Sequence, residues 1–197
     1  MRRPSPGNET RGPAVEPTFD WSALPRVPKT IRYHDDYADK IRRIADADTA
    51  HTWVVEGGGR SYRLNFNDVG ETLRPLCRSW AWWTLESLSP QSAASLLSAI
   101  ISIGPELPAI IANLLCPPHE AQSFWALHVV GGKLSSKQRT ALKSMLRFFC
   151  DSGIGHWSAY YKCFVDTLPL GVKYDKFRTV REGEVFLSTA EESLVVE

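Results

Sequence analysis

A chain of 197 residues with 43% hydrophobic and 11% aromatic content carries enough apolar surface for a packed core, which excludes a disordered polymer. Its formal charge of +1, from 23 basic against 22 acidic residues, excludes binding through a diffusely basic surface, so any polyanion contact must be local. Its cysteines, Cys77, Cys116, Cys150 and Cys163, lie far apart, which excludes paired zinc ligands and a disulfide framework and predicts buried reduced thiols.

Residues 1–30 hold Pro4, Pro6, Pro13, Pro17, Pro25 and Pro28 among few large apolar groups, and such a segment is expected to be a mobile tail. It lacks the apolar stretch of a secretory signal. "HDDYADKIRRIADA" then sets Tyr37, Ile41 and Ile44 at helical spacing, with acids leading and Lys40, Arg42 and Arg43 following, so a helix is predicted. The acids of "HDDYAD" could be imagined as metal ligands, but a solvated helix start explains them with less.

"TWVVEGGGRSYRLNF" alternates Tyr62, Leu64 and Phe66 with polar residues behind three glycines, which predicts a β-hairpin over 52–66. The glycines could also cradle a phosphate, but that requires a following helix, and here a strand pattern follows. From Asn67 the period is helical almost to Val180. "NDVGETLRPLCRSWAWWTLESL" carries Val69, Leu73, Leu76, Cys77 and Trp80 on one face, with Pro75 in an early turn or a kink. Trp80, Trp82 and Trp83 read as core anchors, with a stacking platform for bases as the alternative.

Ser89 and Pro90 open the next helix, which stops at Gly104. The apolar run through Leu115 is interrupted by Gly104, Pro105, Glu106 and Pro108, too early for a membrane span. The predicted fold is mainly α, a multi-helix orthogonal bundle with one small N-terminal β-hairpin, and the protein is expected in the cytoplasm without a membrane partner.

"LSSKQRTALKSMLRFFCDSG" concentrates the charge. Positions 121–150 contain five cations and no carboxylate. Ser135 and Gln138 match a capping box, so a helix should begin near Ser136 and stop at Gly153. Its apolar stripe is Leu142, Met145, Leu146 and Phe149. A flanking face offers Ser136, Arg139, Thr140, Lys143, Ser144 and Arg147, with Lys133 and Lys137 nearby. Cations with short hydroxyls suit phosphate oxygens, and a helix also enters the major groove of DNA. The candidate DNA-binding residues are therefore Lys133, Ser136, Lys137, Arg139, Thr140, Lys143 and Arg147, against the plainer reading of a solvated helix face.

"TALKSMLRFFCDSGIGHW" and the following "LPLGVKYDKFRTVREGEVFLSTAEESLVVE" resemble the junction between the core-binding and catalytic domains of tyrosine recombinases, the phage-type integrases. Leu142, Leu146, Arg147 and Phe149 follow the family's L-x-x-L-R-x-F helix loosely, and Leu187, Ser188, Glu191 and Glu192 match its L-S/T-x-x-E-E. The resemblance covers 135–197. It implies a helical region at 31–115 containing the hairpin, a core-binding-like region at 116–180, and at 181–197 a linker and the start of a catalytic domain that this chain lacks.

The family's chemistry needs Arg, Lys, an H-x-x-R pair and a Tyr nucleophile beyond that linker. His34, His51, His119, His128 and His156 are followed at the third position by Tyr37, Val54, Gln122, Gly131 and Ala159, so none supplies that pair. The resemblance thus implies a DNA-clamping part of a recombinase that binds duplex DNA without cutting it, with other protomers as a second candidate partner and no cofactor, metal or catalytic residue. His156 near Cys163 could be a nucleophile pair, but the surrounding aromatics read as core. The competing function is a helical protein-interaction module with no nucleic-acid role.

Overall fold

The computed structural model describes residues 19–35 and 37–171. Among them, two β-hairpins precede six α-helices, so the mainly α class expected from the sequence holds.

The expected hairpin consists of β3 (Thr52–Gly57) and β4 (Arg60–Asn65), paired from Thr52 with Asn65 to Gly57 with Arg60. Trp53, Val55 and Leu64 point inward and are buried. The turn residues Gly58 and Gly59 have φ of 59° and 72°, the left-handed pair that a two-residue hairpin loop needs.

A second hairpin stands where a helix is predicted. β1 (Ile31–Asp35) pairs antiparallel with β2 (Lys40–Ile44), Ile31 opposite Ile44 and Asp35 opposite Lys40. The supposed helical stripe fails because Tyr37 and Ile41 are 79% and 67% exposed. The period-2 set Ile31, Tyr33 and Asp35 is buried instead. Asp35 tolerates burial because Arg42 grips it through Nε at 3.2 Å and Nη2 at 3.0 Å. Burial pushes this carboxyl up, but the hydrogen bonds from Arg42 and from the Ala38 N–H outweigh it and hold it below the usual range. Arg42 also pairs with Glu56 of β3, and the Glu56 N–H donates to the Tyr33 hydroxyl at 2.7 Å, so the two hairpins are tied together.

The head departs from the mobile tail expected over 1–30 in its described part. Phe19, Trp21, Leu24 and Val27 are partly buried against the core. Trp21 Nε1 donates to the Thr72 carbonyl at 2.8 Å, and the Ser79 hydroxyl donates to the Pro25 carbonyl at 2.8 Å. The stacked rings of Phe19 and Trp21 add apolar area that a count of prolines ignores. Residues 1–18 lie outside the described part, as do 172–197, which include the expected linker and the Leu187 to Glu192 motif.

The helices are α1 (Gly70–Ser87), α2 (Pro90–Ile101), α3 (Leu107–Leu114), α4 (Pro118–Phe124), α5 (Ser136–Ser152) and α6 (Lys162–Thr167), with a π-helical turn at Trp125–Val130 after α4. α2 starts as expected, Ser89 Oγ accepting from the Ser92 N–H and Pro90 occupying the first turn. The chain bends by 87° between α2 and the helical stretch Gly104–Leu114. No helix among the described residues is long and apolar enough to cross a membrane.

One core crosses the expected boundary at 115/116: Leu97, Ile100, Ile111 and Leu114 share it with Trp125, Leu142, Met145 and Phe149. Trp80, at 1% exposure, belongs to that core and cannot stack on a base. The cysteines divide rather than all being buried: Cys77 and Cys150 are buried, Cys116 is half-buried and Cys163 is exposed, all as free thiols.

Candidate nucleic-acid interface

α5 is built from its ends inward. Ser135 Oγ accepts from the Gln138 N–H at 3.3 Å and Gln138 Oε1 accepts from the Ser135 N–H at 2.8 Å, which completes the predicted capping box. The Gln138 amide also donates to Ser102 Oγ at 3.1 Å, fixing the start of α5 to the end of α2. Gly153, with φ of 67°, closes the helix from the left-handed region. Between these ends, Ala141 through Leu146 and Phe148 through Cys150 are all buried.

Burial on nearly every side changes the fate of the donor face. Arg139, Lys143 and Arg147 recur every fourth residue and form one column along α5. Most of that column does not face open solvent, because the end of α6 and the segment after it lie along it. Arg139 Nη1 donates to the Leu170 carbonyl at 3.0 Å. Lys143 Nζ donates to the Leu168 carbonyl at 2.7 Å and the Asp166 carbonyl at 2.8 Å. Arg147 Nε meets the Asp166 carboxylate at 2.7 Å. The last carbonyls of a helix have no partner within it, so Lys143 caps the end of α6 from the side.

Lys143, at 9% exposure, is therefore a structural group and not the solvent-facing donor expected from its place on the helical wheel. Burial, and after it the neighbouring Arg147 guanidinium, pull its ammonium below the ordinary lysine value, while Asp166 opposes them. Arg139 is committed in the same way, and its Nε is buried without a hydrogen-bond partner among the described residues. Ser144 is also buried. Arg147 is exposed but paired with Asp166, a surface contact of about 0–1 kcal/mol that a phosphate could replace. Thr140 Oγ1 donates to the Ser136 carbonyl within its own helix at 2.9 Å.

The rest of the predicted set stays open. Lys133, Ser136, Lys137 and Thr140 are exposed around the first turns of α5. Neither lysine makes an ion pair among the described residues. Two lysines and a serine thus occupy exposed positions within five residues of one another, at the positive end of a 17-residue helix. This arrangement can hold anionic oxygens.

Other candidates resolve differently. His156 and Cys163 are both exposed and share no hydrogen bond, while Trp157 between them is core and donates to the Leu114 carbonyl at 2.7 Å. Among the described residues no three His, Cys, Asp or Glu side chains converge as metal ligands. Sequence reasoning passed over Arg32, Arg43 and Arg63, which the two hairpins carry on exposed positions. The signal for the first two was the alternation of Ile31 and Tyr33 with polar neighbours, outweighed in the sequence by the helical spacing of Tyr37, Ile41 and Ile44. No family model, curated protein or solved structure matches this chain.

Proposed function

We propose that this chain is the DNA-clamping, non-catalytic portion of a tyrosine-recombinase-type protein acting in DNA integration or recombination, and that it takes duplex phosphates at the N-terminal end of α5. The observation that supports this reading is the exposed set of Lys133, just before α5, and Ser136 and Lys137 in its first turn, without any ion pair among the described residues, beside a helix whose residues from Ala141 to Cys150 are buried except for Arg147. Phosphate contacts of this kind position a protein on duplex without reading its sequence. The recombinase part of the proposal rests on the resemblance of Leu142, Leu146, Arg147 and Phe149 to the family's helix.

A salt series of mobility shifts on random-sequence duplex tests it. The wild-type chain should bind and lose affinity steeply as salt rises, and Lys133→Ala with Lys137→Ala should lower the log–log slope by about 2, roughly one unit for each lost phosphate. An unchanged slope would remove α5 from the interface. Absence of duplex binding at low salt would leave the protein-interaction module as the better reading.

A further inference from the structure

The charges of the two hairpins do not balance locally. Most of the described acids of this region are already taken, Asp35 and Glu56 by Arg42, Asp39 by His34 at 3.3 Å, and Asp46 by Lys29 at 3.9 Å, which leaves Asp48 of the β2–β3 connection without an ion pair among the described residues. Arg32, Lys40, Arg43 and Arg63 are exposed and make no ion pair among the described residues. Arg32 and Arg43 stand directly opposite each other across β1 and β2, an arrangement of like charges that weakens the ribbon carrying it. Arg63 occupies the corresponding outward position on β4, opposite Val54.

Two branched apolar groups lie among these cations. Ile41 is 67% and Val54 50% exposed, and with Lys40 and Arg43 they line an open cleft of about 450 Å³ between the hairpins. The face is rigid, because the Tyr33 hydroxyl and Arg42 join the two hairpins and β3 is pressed onto α2 at Gly57. The aromatic rings of the strands turn the other way: Tyr33 and Trp53 are buried and Tyr62 is half-buried. The strands thus present cations and branched groups without the stacked rings on which single strands are held, and the exposed Tyr37 lies on the connecting turn. Charge complementarity with a double helix, whose major groove admits a two-stranded ribbon, selects duplex DNA as the occupant.

We propose that the outward face of the paired hairpins is a second duplex-DNA contact surface, in which Arg32, Arg43 and Arg63 meet phosphates and Ile41 and Val54 pack on the groove between them. It rests on the reading of the chain as a duplex binder but uses a separate surface. The hairpin tip reaches the Pro90 end of α2, whereas α5 begins at its Ser102 end, about 18 Å away at the rise of 1.5 Å per residue over 12 residues.

The test uses the full chain with Arg32→Ala, Arg43→Ala and Arg63→Ala combined, read by fluorescence anisotropy on random-sequence duplex between about 50 and 200 mM salt. The log–log slope should fall by nearly 3, about 0.9 for each lost contact, and replacement of the three arginines by lysine should keep it. The urea midpoint of the alanine variant should stay or rise, since a like-charge pair is relieved. If Lys133→Ala with Lys137→Ala lowers the slope and the hairpin variant does not, the hairpin surface is wrong and the α5 reading stands. If only the hairpin variant lowers it, the hairpin surface stands and α5 does not. No duplex binding by the wild-type chain overturns both. Equal affinity for single strands of the same length, or for phosphatidylserine vesicles, overturns the assignment to duplex.

Discussion

Replacing Lys143 by alanine should unfold the C-terminal clasp rather than weaken a ligand. The ammonium makes two hydrogen bonds, of 2.8 and 2.7 Å, to the carbonyls of Asp166 and Leu168, and the second lies in a buried site. A hydrogen bond to a charged group contributes about 1.5–3 kcal/mol, so the pair contributes about 3–6 kcal/mol before the cost of burying the ammonium is set against it. That cost is real, since burial lowers the group's pKa, and a net loss of about 2–4 kcal/mol is expected on truncation. Urea unfolding followed by tryptophan fluorescence measures it as a fall in midpoint, and Lys143→Met should lose nearly as much because it keeps the stem without the donors. Lys137→Ala, on an exposed position of the same helix, should stay within about 0.5 kcal/mol of the wild-type chain. Equal midpoints for Lys143→Ala and Lys137→Ala would refute the clasp and return Lys143 to the surface.

Gly57→Ala should destabilise by about 1–3 kcal/mol, because its Cβ would lie 2.7 Å from Pro90 Cγ and force the hairpin off α2; thermal unfolding measures this, and an unchanged melting temperature would contradict the close approach. Thiol labelling of the folded chain near pH 8 should modify exposed Cys163 while sparing Cys77 and Cys150, which burial pushes up to about 12 and about 11. The same burial fixes a sign: the unfolded thiols ionise first, near the ordinary value of 9.0, so this part of the stability is full below 9.0 and is lost as pH rises toward 11–12. Cys77→Ala should flatten that alkaline fall in urea midpoint, and an unaltered pH profile would mean that Cys77 does not titrate with folding.

What the sequence determined by itself lies within a few residues of its signal. Ser135 with Gln138 and Gly153 delimit α5, Ser89 with Pro90 start α2, and Gly58 with Gly59 turn β3 into β4, because capping and turning join groups three or four positions apart. Leu142, Met145, Leu146 and Phe149 were legible as core from periodicity alone. Competition between two periods produced the helix predicted over 34–47, where helical spacing of exposed Tyr37 and Ile41 hid the alternation that buries Ile31, Tyr33 and Asp35. Tertiary structure decided the candidate site. On the helical wheel Lys143 is indistinguishable from a solvent-facing donor, and its burial is settled by Asp166 and Leu168, 23 and 25 positions away. The same docking divides the basic set into structural cations at Arg139 and Lys143 and open ones at Lys133 and Lys137. A cation meets either water or a carbonyl according to what the chain brings over it, and that is set by packing across the whole core rather than by the residues beside it.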